Sequence, residues 1–411
     1  MRKAVFTILF CVLFAAGGAT ALSAPVPLGP ATTTRVPSFN AIVADGAHFF
    51  QLVESAHQAL WRTDGTPEGT LPVFETDKGT IPFVAGGDSL VYFIAEDSSG
   101  ATLNVVGGAE KEPRPLAPVF RGEPFGMVVS GDNCFWYSRL GGVGSLWTSD
   151  GTKEGTREVR SFQYPQGLPP EMEMEITQAK PLAAVPGGVV LGAPHPEVGV
   201  ELWFSDGTEK ETVLVADLLP APAGAESMAP LLSSVPTFEP YKGGFAYFSI
   251  SGALTGNESP VYRTDGTKAG TAPASKPTVD LAASDVFTVE PGGIFRAAYG
   301  GREVAMGRID LSNADLSNRD GYLYFYGNDG ETGWEVWRAR NNPATLERMT
   351  DLNPGAGDTA PQWEMWPPTM VVLGNRLLFW GNDGKEGMGL FALDIAKDEE
   401  REPSGDGDVV E

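Results

Sequence analysis

An aromatic-x-x-Asp-Gly-Thr segment that occurs four times constrains this chain more than any other feature. Ala59-Leu60-Trp61-Arg62-Thr63-Asp64-Gly65-Thr66-Pro67-Glu68-Gly69-Thr70 returns as Ser145-Leu146-Trp147-Thr148-Ser149-Asp150-Gly151-Thr152-Lys153-Glu154-Gly155-Thr156. It returns again as Glu201-Leu202-Trp203-Phe204-Ser205-Asp206-Gly207-Thr208 and as Val261-Tyr262-Arg263-Thr264-Asp265-Gly266-Thr267-Lys268-Ala269-Gly270-Thr271. Self-similarity of this length marks a repeat architecture, in which each unit is one supersecondary element.

A looser element, a Gly or Asp turn before an aromatic-rich strand, accompanies the repeat. It appears at His48-Phe49-Phe50, Leu90-Val91-Tyr92-Phe93, Cys134-Phe135-Trp136-Tyr137, Phe245-Ala246-Tyr247-Phe248, Tyr322 to Tyr326 and Leu377 to Trp380, with fainter forms at Gly188–Leu191 and Gly293–Phe295. These define units of about 45 residues, the length of a four-stranded propeller blade. Glu201-Leu202-Trp203-Phe204 is apolar on consecutive positions, so both faces of its strand need cover. Asp206-Gly207 then reverses the chain: Gly tolerates positive φ, and the Asp carboxylate accepts from backbone N–H groups in the turn. The same reading applies to Asp64-Gly65, Asp150-Gly151 and Asp265-Gly266, which are structural turns. A unit this small cannot bury two faces alone, and stacking in a ring removes the exposed ends. With 51 Gly, 33 Pro and 42% apolar residues, the composition favours many short strands over helices. The expectation is an all-β chain: a β-propeller of seven or eight four-stranded blades, eight favoured by the aromatic strands. The last unit, Leu377 to Ile395, is one strand short, and Phe39 to Val43 is expected to complete it.

The repeat resembles that of the ELWxxDGT repeat proteins of bacterial secreted proteomes. Leu-Trp-x-x-Asp-Gly-Thr-x-x-Gly-Thr stands at 60–70 and 146–156, the full Glu-Leu-Trp-Phe-Ser-Asp-Gly-Thr at 201–208, and the trailing Asp351-Leu352-Asn353-Pro354-Gly355 matches the stretch that usually follows the motif. The resemblance spans roughly residues 40–395 and implies a propeller-like, non-enzymatic exported protein. It departs at Glu211-Thr212, where Gly-Thr is expected, and at Val261-Tyr262, where Leu-Trp is expected.

The N-terminus reads as an export signal. Arg2 and Lys3 precede an apolar run from Ala4 to Ala16, and Ala19-Thr20-Ala21 supplies small residues for cleavage after Ala21. The domain reading is signal 1–21, linker 22–37, propeller 38–397 and a disordered acidic tail 398–411. No later segment reaches the roughly 20 apolar residues of a membrane span. Cleavage leaves Cys134 as the only cysteine, which excludes a disulfide framework and a cysteine zinc site; Cys134 reads as a small buried hydrophobe. The net charge of −24 repels nucleic acid and anionic membranes.

Catalytic motifs are absent. His48, His57 and His195 show no metal-ligand spacing and read as neutral surface or core residues. There is no Gly-x-Ser-x-Gly elbow and no phosphate-binding loop. Asn328-Asp329-Gly330 and Asn382-Asp383-Gly384 lack the ligand density calcium requires and read as hairpin turns. Trp363 and Trp366 read as packing residues rather than a sugar-stacking platform. The resulting expectation is a secreted or periplasmic monomeric scaffold, not an enzyme, with no catalytic residue, cofactor or metal, no nucleic acid partner and an unidentified protein or glycan ligand. The alternative is an extracellular glycan-acting hydrolase on the same fold, which would need two carboxylates, or a Tyr/Glu pair, brought together by folding.

Overall fold

The computed structural model describes residues 24–29, 36–37, 42–54, 57–119, 122–164, 182–218, 235–239, 244–251, 260–274, 287–290, 294–299, 302–306, 322–328, 331–341, 344–354, 370–385 and 388–395, and every regular element among them is a β-strand. The leader, the acidic tail, Trp363, Trp366 and Asp329-Gly330 lie outside the described residues.

The strands form seven antiparallel sheets, numbered here in chain order. Sheet 1 comprises Ile42–Ala44, Ala47–Glu54, His57–Thr63 and Leu71–Thr76, with Val36–Pro37 added beside Ala47–Glu54. Sheet 2 is Thr80–Gly86, Leu90–Asp97, Gly100–Gly107 and Arg114–Val119; sheet 3 is Glu123–Ser130, Asn133–Leu140, Val143–Ser149 and Arg157–Gln163. Sheet 4 is Leu182–Val185, Gly188–His195, Gly199–Ser205 and Val213–Ala216; sheet 5 is Val235–Glu239, Ala246–Ser251, Val261–Thr264 and Ala272–Pro273. Each is a meander, in which neighbours in sequence are neighbours in space. Prolines on outer strands, Pro72, Pro115, Pro118 and Pro273, remove donors that could pair with another chain.

Consecutive apolar residues face opposite seams, as their double burial requires. Val91 and Phe93 of sheet 2 pack against Ile42, Phe49 and Leu60 of sheet 1. Their neighbours Tyr92 and Ile94 pack with Cys134 and Trp136 of sheet 3. Phe135 and Tyr137 turn the other way, into a seam with Val189, Leu191 and Trp203 of sheet 4, and Val190 and Leu202 meet Phe248 and Ile250 of sheet 5. Cys134 is buried as expected, and burial pushes its thiol pKa up.

Sheet 6 has six strands: Phe287–Glu290, Ile294–Tyr299, Arg302–Met306, Leu323–Asn328, Trp334–Asn341 and Ala344–Arg348. Two pairs, Ala305 with Asn328 and Met306 with Gly327, join its halves. The units read separately at Gly293–Phe295 and at Tyr322–Tyr326 therefore share one sheet, because among the described residues each half has three strands and leaves an edge for the other.

Sheet 7, Val371–Leu373, Arg376–Asn382 and Met388–Asp394, closes the ring. Its fourth strand is Val26–Pro27, pairing Val26 with Ala392 and Pro27 with Phe391. This differs from the expected Phe39 to Val43. Of that segment, Ile42 and Val43 are described, and they form the first strand of sheet 1 against Phe49 and His48. The closing strand comes instead from the stretch read as linker. Leu28 extends it: its N–H donates to the Leu390 carbonyl at 2.9 Å, and its side chain is buried with Phe50 and Leu52 of sheet 1 and Leu378 and Trp380 of sheet 7. The first and last sheets thus meet through a hydrophobic seam like those between successive sheets from 1 to 5. The chain is a β-propeller.

Candidate functional site

The four Asp-Gly-Thr turns repeat one hydrogen-bonded cage. Asp64, Asp150, Asp206 and Asp265 each accept through Oδ1 from the N–H of Thr66, Thr152, Thr208 and Thr267 at 2.8–2.9 Å, and from the same threonine's hydroxyl at 2.6–2.7 Å. The hydroxyl before each Asp (Thr63, Ser149, Ser205, Thr264) accepts from the turn glycine N–H at 3.0–3.2 Å. It also meets the closing Thr70, Thr156, Thr212 or Thr271 hydroxyl at 2.6–2.8 Å. The threonine hydroxyl, with its backbone amide, holds Asp64, Asp150 and Asp265 below the usual carboxylate range.

Gly69, Gly155 and Gly270 have no side chain because a Cβ would fall 2.0–2.3 Å from the Asp carboxylate. Glu211 occupies the matching position in sheet 4, and its N–H bond to the Thr208 hydroxyl lengthens to 3.2 Å from 2.9–3.0 Å in the other turns. The one-residue departure is absorbed by that slight opening.

The turn glycines Gly65, Gly151, Gly207 and Gly266 have φ between +83° and +92°, a region that excludes most other residues. Each also docks on the preceding sheet: Gly151 on Leu90 and Tyr92, Gly207 on Phe135, Gly266 on Phe204 and Gly65 on Arg376 and Leu378 of sheet 7. Arginines reinforce this contact. Arg114 donates to the Gly151 carbonyl at 3.3 Å, Arg160 to Thr212 at 2.9 Å and Arg376 to Gly65. The expected site residues are therefore brought to equivalent places, one turn per sheet, and not to one another. Their carboxylates serve their own turns. Asp383 does likewise, accepting from Lys385 N–H at 2.9 Å in the turn after Asn382.

The Glu of the repeat is equally inward. Glu201 is fully buried and accepts from Leu218 N–H at 2.9 Å. Glu335, at the same place in sheet 6, accepts from the Thr350 hydroxyl at 2.7 Å. Both tie the repeat strand to the chain leaving the following strand.

The opposite edge of the ring carries a different constellation. In a meander, the turn between the second and third strands and the exit of the fourth lie on one edge, away from the Asp-Gly-Thr turns. There the pairing of Gln58 with Thr76 places His57 beside Asp77. His57 Nδ1 is 2.7 Å from Asp77 Oδ1, and Nε2 is 3.5 Å from Glu75 Oε1. An imidazole is thus bracketed by two half- to fully exposed carboxylates, an arrangement able to accept, hold and return a proton. Sequence reasoning passed over it, since His57, Glu75 and Asp77 form no local motif; only the strand register unites them.

The other histidines stand elsewhere. His195 Nδ1 accepts from Glu197 N–H at 3.2 Å and its ring lies 5.8 Å from Trp203. His48 is buried, donates through Nδ1 to the Ile42 carbonyl at 3.1 Å and stacks on Phe50. Among the described residues, no three His, Cys, Asp or Glu side chains gather as a metal site.

No family model and no curated protein matches the chain. Solved structures similar to it include the β-propeller domain of the Trilobed protease from Pyrococcus furiosus, 9% identical over 89% of this chain and 94% of that one with a TM-score of 0.41. They also include Pyrococcus horikoshii acylaminoacyl peptidase (9% identity, 88% and 51%, TM-score 0.40) and a puromycin hydrolase (13%, 69% and 45%, TM-score 0.39). The chain spans about half the length of those two hydrolases. Identities this low show fold alone. Hydrolase propellers among the similar structures run against the expectation of a non-enzymatic scaffold, which is withdrawn; a likeness of fold at these identities assigns this chain no activity.

Proposed function

We propose that this chain is an exported propeller of the ELWxxDGT-repeat kind that takes part in hydrolysis of an extracellular glycan, with His57, Glu75 and Asp77 as its proton-handling group. The observation that carries the reading is the imidazole held between two carboxylates at the edge of sheet 1. Glycoside hydrolysis needs one carboxyl group to protonate the leaving oxygen and a second to activate water or attack the sugar. Glu75 and Asp77, two residues apart on the exit of one strand, point to the same side, and His57 can exchange protons with either. The repeat turns supply the rigid frame that holds this strand pair in register.

The test is turnover. Purified protein is expected to hydrolyse at least one substrate in a panel of polysaccharides and aryl glycosides. Glu75→Gln, Asp77→Asn and His57→Asn are each expected to lower kcat by about 10²–10⁴-fold while leaving the melting temperature nearly unchanged, because the two carboxylates are exposed and His57 is partly so. Absence of turnover across the panel, or variants as active as the parent, would overturn the assignment.

A further inference from the structure

We propose that His48 makes the seam between the first and last sheets acid-sensitive, so that the ring opens there first when the pH falls. Three observations place the device, and it stands apart from the hydrolase reading. His48 and Phe50 lie two residues apart on one strand and so share a face. Their rings stack at 5.6 Å, and Phe50 packs edge-on against Trp380 of sheet 7, also at 5.6 Å. The imidazole therefore belongs to the wall of the closing seam.

That seam is where the two ends of the chain meet: elsewhere the last strand of one sheet runs on into the next sheet, whereas here the chain enters sheet 1 from Val26–Pro27, the N-terminal strand that pairs with Met388–Asp394 of sheet 7. What holds the other three strands of sheet 7 to sheet 1 is non-covalent. It includes the two pairs formed by Val26–Pro27, the Leu28 amide and side chain, the packing of Phe50 and Leu52 on Leu378 and Trp380, and Arg376 on the Gly65 carbonyl. A perturbation here opens the ring by releasing Val26–Pro27 and Leu28 from Met388–Asp394, with the other strand pairs left intact.

The charge chemistry around His48 gives a proton no compensation. Its described hydrogen bond is to the Ile42 carbonyl. Charged groups on the elements around it are otherwise engaged: Asp64 in its own turn, Arg62 on the carbonyls of Gly69 and Gly108, Arg376 between Gly65 and Asp394, and Glu110 on the Gly107 amide. Asp45 lies on the turn leading into the strand, its N–H on the Asp88 carbonyl. Burial pushes the His48 pKa down to about 4 from 6.5, against the Ile42 carbonyl, which pulls the other way. The sign follows: the closed seam is fully favoured above pH 6.5, and the advantage is lost as the pH falls toward 4. At pH 5, a solvated His48 favours the open seam by roughly thirtyfold relative to neutral pH.

Hydrogen exchange on the intact protein, corrected for intrinsic rates, tests this at pH 7.5 and pH 5. Peptides containing Leu28 and Leu390 are expected to lose protection by roughly thirtyfold. Those containing Tyr92 and Trp136, at the seam of sheets 2 and 3, keep theirs. His48→Asn, whose amide can still donate to the Ile42 carbonyl, and His48→Phe are expected to remove the response. Equal loss at both seams, no loss at either, or an unchanged response in the variant that folds would overturn the proposal. The two-seam comparison in the parent protein decides it even if neither variant folds.

Discussion

Replacing Asp64, Asp150, Asp206 and Asp265 by Ala, one after another, is expected to lower stability in near-equal steps, and the quadruple variant to lose on the order of 4–8 kcal/mol. Each carboxylate accepts from one backbone N–H and one hydroxyl within its turn. Alanine leaves both without an acceptor, about 1–2 kcal/mol for each site. The turns lie in four different sheets and share no partner, so the losses should add. Urea unfolding of the single and combined variants measures this directly. The pH dependence has a defined sign as well. Folded Asp64, Asp150 and Asp265 titrate below the ordinary 3.8, so their contribution is present above that value and is lost as the pH falls through the folded pKa. Alanine variants should lose that part of the acid response. A parent protein that calcium stabilises and a chelator destabilises, with neither effect in the variants, would show instead that the turns hold metal.

The second large effect is expected at the closing strand. Leu28 is 2% exposed and Val26 is 46% exposed, although both lie in the same short segment. Leu28→Ala empties a position between two sheets and is expected to cost about 2–4 kcal/mol. Val26→Ala removes a solvent-facing side chain and should fall within about 0.5 kcal/mol. Equilibrium unfolding of the two variants separates a packed closing strand from a loosely attached one. Equal, small effects would mean that residues 26–28 do not bind the last sheet.

The parts of this fold that could be read in the sequence are those specified locally. Trp203-Phe204 and Phe135-Trp136 announce strands covered on both faces, and Asp-Gly announces the turn between the outer strands. The hydroxyl before each Asp and the closing Thr repeat just as faithfully, as Thr63 with Thr70 or Ser205 with Thr212. Their pairing could have been inferred from that column of Ser and Thr. That an N-terminal strand completes the last unit could be read too, but not that the strand is Val26–Pro27 in place of Phe39 to Val43. Val26-Pro27 carries no strand signature beyond a Val, and it pairs with residues more than 360 positions away. The sharing of sheet 6 between two units was hidden for the same reason, since two backbone pairs leave no trace in composition. His57, Glu75 and Asp77 illustrate the limit for chemistry. Their proximity depends on register, and a shift of one residue would turn the side chains of one strand to the other face.

The closed ring is tested most directly by a covalent bond across it. Val26 and Ala392 are register partners. Val26→Cys with Ala392→Cys, in a Cys134→Ala background, should oxidise to a disulfide within one monomer, seen as a mass loss of about two protons on a chain that still elutes as a monomer. The bond should raise the melting temperature by tying the last sheet to the first. A disulfide found only between two chains, or no disulfide under oxidising conditions, would contradict closure by the chain's own N-terminal strand.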